Sequence, residues 1–326
     1  MVLRAAAPGV PQDTANRAVD AWDAEARAAA YLTREVPGWR REHPCYSCHN
    51  NGDAARALMS VGNRIPAARA ALDDTLGWLA VPDRWSTNGG GEGGADDKVL
   101  ARIQFAHATT AGVAAGLVPR TAVESAAHLV AADQQQDGSW RLDASDSIGS
   151  PATYGTALAT VAARRTLVAA GLPRHVDHVA RAERWLSHAT IQNTPDAAAI
   201  IIAFAGGDGS SNETPPNWTV ALDLLKKGQG RDGGWGPYVR SPSEAFDTAL
   251  ATLALQGLVT RASRAGDAFT PDGLRAAIAG GRTYLIRQQL ADGSWNETTR
   301  PAGQSSYAQR ISTTGWALLA LVETRK

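Results

Sequence analysis

Two kinds of segment alternate along this chain. In 121–134, 175–189, 218–227 and 271–289, apolar residues recur three and four apart on one side and charged residues take the other. That is the pattern of a helix lying half in water. Between them run stretches with Ala, Leu, Ile and Thr on every side: Tyr154-Gly155-Thr156-Ala157-Leu158-Ala159, Asp196-Ala197-Ala198-Ala199-Ile200-Ile201, Phe246-Asp247-Thr248-Ala249-Leu250-Ala251 and Thr314-Gly315-Trp316-Ala317-Leu318-Leu319. A helix with no polar face is buried all round. Stretches 53–58 and 107–112 fit the same frame, preceded by amphipathic segments at 14–36 and 65–79. Positions 53, 108, 155, 196, 247 and 315 thus recur at intervals of 41 to 68 residues, the length of a helical hairpin with loops of varied size. Six buried helices alternating with six half-exposed ones predict an inner ring inside an outer ring. The expected fold is all-α, a single (α/α)6 toroid over 14–326.

Three amphipathic segments end alike, in Gln134-Gln135-Gln136-Asp137-Gly138-Ser139-Trp140, Gln229-Gly230-Arg231-Asp232-Gly233-Gly234-Trp235 and Gln288-Gln289-Leu290-Ala291-Asp292-Gly293-Ser294-Trp295. Gly after Asp suits a helix-terminating turn, and Gln and Trp can pin that turn to its neighbour by hydrogen bonding and stacking. A coiled coil or a tetratricopeptide array also repeats helices, but neither explains the recurrent D-G-S-W. In these motifs the chain resembles the terpene cyclase and protein prenyltransferase superfamily, whose Gln-Trp repeats end outer helices. The resemblance implies a barrel with a central apolar cavity, and motifs that brace helices without carrying chemistry.

Composition narrows the partners. Lys plus Arg and Asp plus Glu both number 32, so nothing points to nucleic acid or an anionic membrane surface. The longest apolar run, 197–205, is far short of the roughly 20 residues that a spanning helix needs, so no transmembrane segment is expected.

The sharpest chemical signal is Cys45-Tyr46-Ser47-Cys48-His49, which holds both cysteines of the chain. C-x-x-C-H is the attachment pattern of covalent haem c: the thiols add to the vinyl groups and the histidine ligates iron. Half of a zinc site completed by His43, or a redox dithiol, are the competing readings. Zinc would need a second ligand pair, and a thioredoxin-like dithiol would need a strand-to-helix setting. The expected cofactor site is therefore Cys45, Cys48 and His49, with His107, on the neighbouring inner helix, as sixth iron ligand; Met59 is expected in the core. His175 and His178 have metal-compatible spacing but sit among Asp177, Arg174 and Arg181, the composition of a solvated face. Haem c implies export to the periplasm, with residues 1–13 as the remnant of a trimmed leader. Glycine-rich 88–94 lacks the Lys and Ser/Thr of a phosphate loop and reads as a flexible loop.

Cyclase chemistry is tested by one motif. Squalene-hopene-type cyclases, by the same resemblance, protonate substrate with the middle carboxyl of D-x-D-D-T-A; here the matching place reads Glu244-Ala245-Phe246-Asp247-Thr248-Ala249, with Phe at the donor position. Asp247 is left as a weak catalytic candidate, expected to act as a helix N-cap together with Asp53 and Asp196, so that Asp247→Asn should be nearly silent. Cyclases also stabilise cations with aromatic walls. This chain has ten Trp, six Tyr and four Phe, and three of the Trp belong to the braces. The zinc ligands of protein prenyltransferases have no counterpart, because both cysteines lie in the first repeat. C-x-x-C-H on a Gln-Trp toroid is similar to bacterial envelope proteins described as squalene-cyclase-like with a cytochrome motif. Two functions are expected in competition: a haem c protein in electron transfer or ligand sensing, with a redox partner, or a toroid whose cavity takes an isoprenoid-like molecule, with Asp247 and Asp196 as polar groups.

Overall fold

A computed structural model describes residues 12–88, 95–142, 148–205, 214–265, 272–300 and 306–325. Most of the expected leader and of the glycine-rich stretch lies outside these residues. The outer helices are α1 (Gln12–Glu42), a pair α3 (Pro66–Ala70) and α4 (Asp73–Leu79), α6 (Arg120–Ala132), α8 (Val176–His188), α10 (Trp218–Gly228) and α12 (Asp272–Gln288). The inner segments are a π-helical turn (His49–Ala54) running into α2 (Ala55–Val61), then α5 (Ala95–Ala114), α7 (Thr156–Ala170), α9 (Thr194–Ala205), α11 (Ala245–Ala265) and α13 (Tyr307–Glu323). Each inner segment packs on the next, and α13 returns to the π turn and α2, closing the ring. The fold is an all-α toroid. The second outer helix differs from expectation by breaking at Ala71–Leu72, and the first inner helix by opening as a π turn. That turn is anchored from outside: Asn50 Nδ2 donates to Glu35 O (2.9 Å) and Asn51 Nδ2 to Thr75 Oγ1 (2.8 Å).

Inner helices can close around a centre because their contacts are small. A Cβ on Gly315 would lie 3.1 Å from Asp53 O, and one on Gly52 would lie 3.1 Å from Gln104 Cβ, so the first inner segment meets both neighbours at glycine. The Gln-Trp braces work identically in their three copies. Nε1 of Trp140, Trp235 and Trp295 donates to the carbonyls of Val130 (2.8 Å), Leu225 (2.7 Å) and Leu285 (2.8 Å), ten residues back. Their backbone amides donate to Thr160, Thr248 and Thr314 Oγ1 on the following inner helix, at 3.1, 2.9 and 3.2 Å. Gln134, Gln229 and Gln289 reach forward to the next outer helix, donating to His178 O (2.9 Å), Ala277 O (2.9 Å) and Ala24 O (2.8 Å). The last of these joins the end of the chain to its beginning, which latches the outer ring.

Candidate functional site

The inner ring encloses a cavity of about 330 Å³, at the small end of the roughly 300 to 1,000 Å³ typical of small-molecule sites. Its wall is built from one face of each of several buried helices. On α7 that face is Leu158, Val161, Ala162 and Arg165; on α11 it is Leu253, Gln256, Gly257 and Thr260; on α13 it is Trp316, Leu319 and Glu323. The three- and four-residue spacing makes these continuous stripes along the helices. Each runs from alkyl or aromatic at its N-terminal end to polar at its C-terminal end, and Glu323 is exposed there, marking the open side. Buried Arg56 and His107 join Trp316 at the closed end, the floor.

Charge is concentrated beneath that floor. The carboxylate of Asp53, 1% exposed, accepts hydrogen bonds from Tyr154 Oη and from Gln104 Nε2 (3.0 Å), and Arg56 Nη2 lies 3.7 Å away. The Arg56 guanidinium covers the face of Trp316 at 4.2 Å, while Tyr154 and Phe246 meet the same indole edge-on at 5.9 and 6.1 Å. Tyr154 adopts φ +60°, unfavourable for an aromatic residue by about 1 kcal/mol or more, and in that conformation its hydroxyl meets Asp53. Burial raises the Asp53 carboxyl above its ordinary range, against the opposing pull of Arg56 and the Tyr154 bond. Burial, then Arg56 and Arg165, hold His107 well below 6.5, so its ring is neutral near pH 7. Several polar atoms here are buried without a hydrogen bond: Arg56 Nε and Nη2, His107 Nδ1 and Gln104 Oε1.

With this geometry the comparison with known structures is specific. Type II terpene cyclase MstE from Scytonema superposes with a TM-score of 0.58 at 16% identity, over 93% of this chain and 98% of the cyclase. A variant of that enzyme in complex with geranylgeranyl dihydroxybenzoate, its substrate, gives 0.58 at 17%, over 94% and 97%. A protein from Actinoplanes gives 0.57 at 16%, over 93% and 99%. This chain has the fold of the type II terpene cyclases. At these identities the likeness is one of architecture. No protein-family model matches the sequence, and no curated protein matches it.

Within the terpene cyclase fold, the carboxylates expected as caps have other partners. Asp247, fully buried, lies in the first turn of α11 and gives both oxygens to Arg300, at 2.9 and 3.0 Å. Arg300 also bonds Glu244 (2.9 Å) and Gly149 O (2.9 Å). Burial pushes Asp247 up to about 7, with Arg300 pulling down and Glu244 pushing up. One guanidinium facing two carboxyls balances a single negative charge, so the deeper carboxyl retains its proton more readily. Asp196 accepts from Gln192 N (3.3 Å), and the capping role falls to Asn193, whose Oδ1 accepts from Asp196 N (2.9 Å). Asp53 is no cap either, since its oxygens serve Tyr154 and Gln104. Arg56, Tyr154 and Trp316 were missed by sequence reasoning; a charged residue on a helix buried all round was the available signal for Arg56.

The cysteine motif lies at the N-terminal end of the first inner segment. Cys45 is buried and Cys48 half-buried, and neither is joined in a disulfide. Tyr46 stacks on Trp78 at 4.3 Å, and Asn88 clamps its backbone N–H and C=O at 2.9 and 2.8 Å. His49 Nδ1 bonds Ser312 Oγ (3.0 Å), the kind of contact that orients a ligating histidine. The donor set thus fits the proximal half of a haem c site. His107, expected as sixth ligand, packs against Trp316 at 6.5 Å, four residues or about 6 Å along α13 from Ser312, the partner of His49. His43 stacks on Trp39 at 3.7 Å, and Met59 is buried in the core. His175, expected on a solvated face, is buried between His128 (5.1 Å) and His178 (5.6 Å). Among the described residues no three His, Cys, Asp or Glu side chains form a group able to hold a metal ion.

Proposed function

We propose that this protein binds an isoprenoid-like molecule in the central cavity of its toroid. The observation that carries this reading is the alkyl surface that Leu158, Val161, Ile202, Leu253 and Leu319 form on the cavity wall, beside the polar Arg165, Gln256 and Thr260. The neighbouring fold of MstE, whose substrate carries a geranylgeranyl chain, supports it. Binding is favoured over cyclisation by the floor. The aromatic face that would steady a carbocation, that of Trp316, is already covered by the Arg56 cation. A substrate cation about 4 Å from that guanidinium would be repelled on the order of 4 kcal/mol at an effective dielectric of about 20. Asp53, the carboxyl nearest the floor with a raised pKa, has Arg56 as its close cationic neighbour.

Titration of the protein with farnesol, followed by quenching of tryptophan emission, is expected to saturate. Products analysed after incubation with polyprenyl substrates are expected to contain no ring. Absence of saturable binding would sink the reading, and a cyclised product lost in Asp53→Asn would convert it into an enzyme.

A second reading rests on the His49–Ser312 bond: covalent haem held by Cys45, Cys48 and His49 in an exported, periplasmic protein that meets a redox partner. Haem bound there would supply one-electron chemistry at iron. Expression with a secretion signal and haem-attachment machinery is expected to give a red protein whose colour survives acid extraction. Loss of haem on denaturation rejects it.

A further inference from the structure

The floor of the cavity makes a chemical statement that its walls do not. Leaving buried donors without partners costs about 1 to 3 kcal/mol each, and here they gather on one small surface. The guanidinium of Arg56, 9% exposed, has Nε and Nη2 without a hydrogen bond. His107, 7% exposed, adds an unbonded Nδ1 on the same wall. Two other arginines show the contrast: Arg164 pairs with Glu183 at 2.6 Å and Arg300 with Asp247 and Glu244. Asp53 does not fill this role for Arg56, because at 3.7 Å it forms no hydrogen bond and its oxygens are committed to Tyr154 and Gln104.

We infer that the ligand enters head first and carries a carboxylate at its buried end, received by the Nε and Nη2 donors of Arg56, while its hydrocarbon body lies along α7, α9 and α11. The inference rests on the isoprenoid reading for the body of the ligand and adds the head group and its orientation. An acceptor is required because the unbonded groups are chiefly N–H donors. An anion is favoured because Arg56 and Arg165 line the cavity against Glu323, which sits at the open end, while burial raises the pKa of Asp53 beneath Arg56 and so disfavours its charge. Planar Nε/Nη2 donors match the two oxygens of a carboxylate. His107, kept neutral, can donate to the same head or accept from it when protonated.

The test compares farnesoic acid, farnesol and dodecanoic acid as ligands of the full chain, with tryptophan emission and calorimetry as readouts. Farnesoic acid is expected to bind about tenfold or more tighter than farnesol above the ordinary carboxylate pKa range, and to lose that advantage as pH falls and the acid protonates. Arg56→Met should abolish the preference while farnesol still binds, and Arg56→Lys, which keeps a cation beside Asp53, should reduce it. Equal binding of acid and alcohol overturns this inference and leaves the isoprenoid reading standing. Tight binding of dodecanoic acid without farnesoic acid keeps the carboxylate head and overturns the isoprenoid body. Binding of none of the three overturns both. A preference undiminished in the folded Arg56 variants removes Arg56 from the site.

Discussion

At Arg300 a single guanidinium serves two carboxyls, and the consequences run against those of a helix cap. A capping aspartate tolerates Ala at about 1 kcal/mol, but a buried partner of Arg300 does not. Asp247→Ala is expected to cost about 2 to 4 kcal/mol in urea unfolding, with Glu244 remaining to offset part of the arginine charge, and Asp247→Asn to cost less, because burial already favours the neutral carboxyl that Asn resembles. The pair also leaves a pH signature. Asp247 is raised from 3.8 to about 7 in the folded protein. The folded state therefore holds this proton more tightly, and its stabilisation is complete below pH 3.8 and is lost as pH rises to about 7. His175 has the opposite sign: burial, then His128, His178 and Arg174, lower it from 6.5 to about 4, so its contribution is present above 6.5 and is lost as pH falls to about 4. The two slopes oppose each other in the wild type. Stability measured across this range should fall with rising pH in His175→Gln and rise with it in Asp247→Asn; parallel curves for both variants would reject the assignment.

Among elements, the Gln-Trp brace is a three-way joint between an outer helix, the next outer helix and the following inner helix. Its glycine sits at positive φ in each copy, +98° at Gly138, +87° at Gly233 and +94° at Gly293. A side chain there is doubly opposed, because a Cβ on Gly293 would lie 2.3 Å from Arg27 O on α1. Gly293→Ala is expected to cost about 2 kcal/mol or more. Gln289→Ala, which removes bonds to Ala24 O and Gly293 O, should cost about 1 to 2 kcal/mol. Thermal unfolding of each variant measures these costs, and a silent Gly293→Ala would show that the joint does not hold α1.

Across the whole molecule, that joint matters because it closes a circle. Inner closure at Gly315 against Asp53 and outer closure at Gln289 against Ala24 tie the last repeat to the first. A closed ring has no terminal repeat to fray, unlike an open helical solenoid. Hydrogen exchange should therefore show α2 and α13 protected to the same free energy, and Gln289→Ala should lower both together. Selective loss of protection in α13 alone would mean that the ring opens at this seam. The cavity depends on the same closure, since its floor combines Arg56 from α2, His107 from α5 and Trp316 from α13.

What the amino-acid sequence determined by itself was the ring. Helix periodicity, the absence of a polar face on every second helix and the recurrence of Gln, Asp-Gly and Trp are local properties, repeated often enough to be read without knowing any contact. Positions such as Thr248 and Gly233 behave as the repeat demands. The site was decided only by tertiary structure. Asp53 finds Tyr154 across 101 residues, and Arg300 finds Asp247 across 53. Asp247 lies in the first turn of α11 and Asp53 near the end of the π turn, and both are claimed by side chains that the closing ring brings over them. A helix sequence shows that a charge is buried, but the partner that makes the burial tolerable arrives from another repeat.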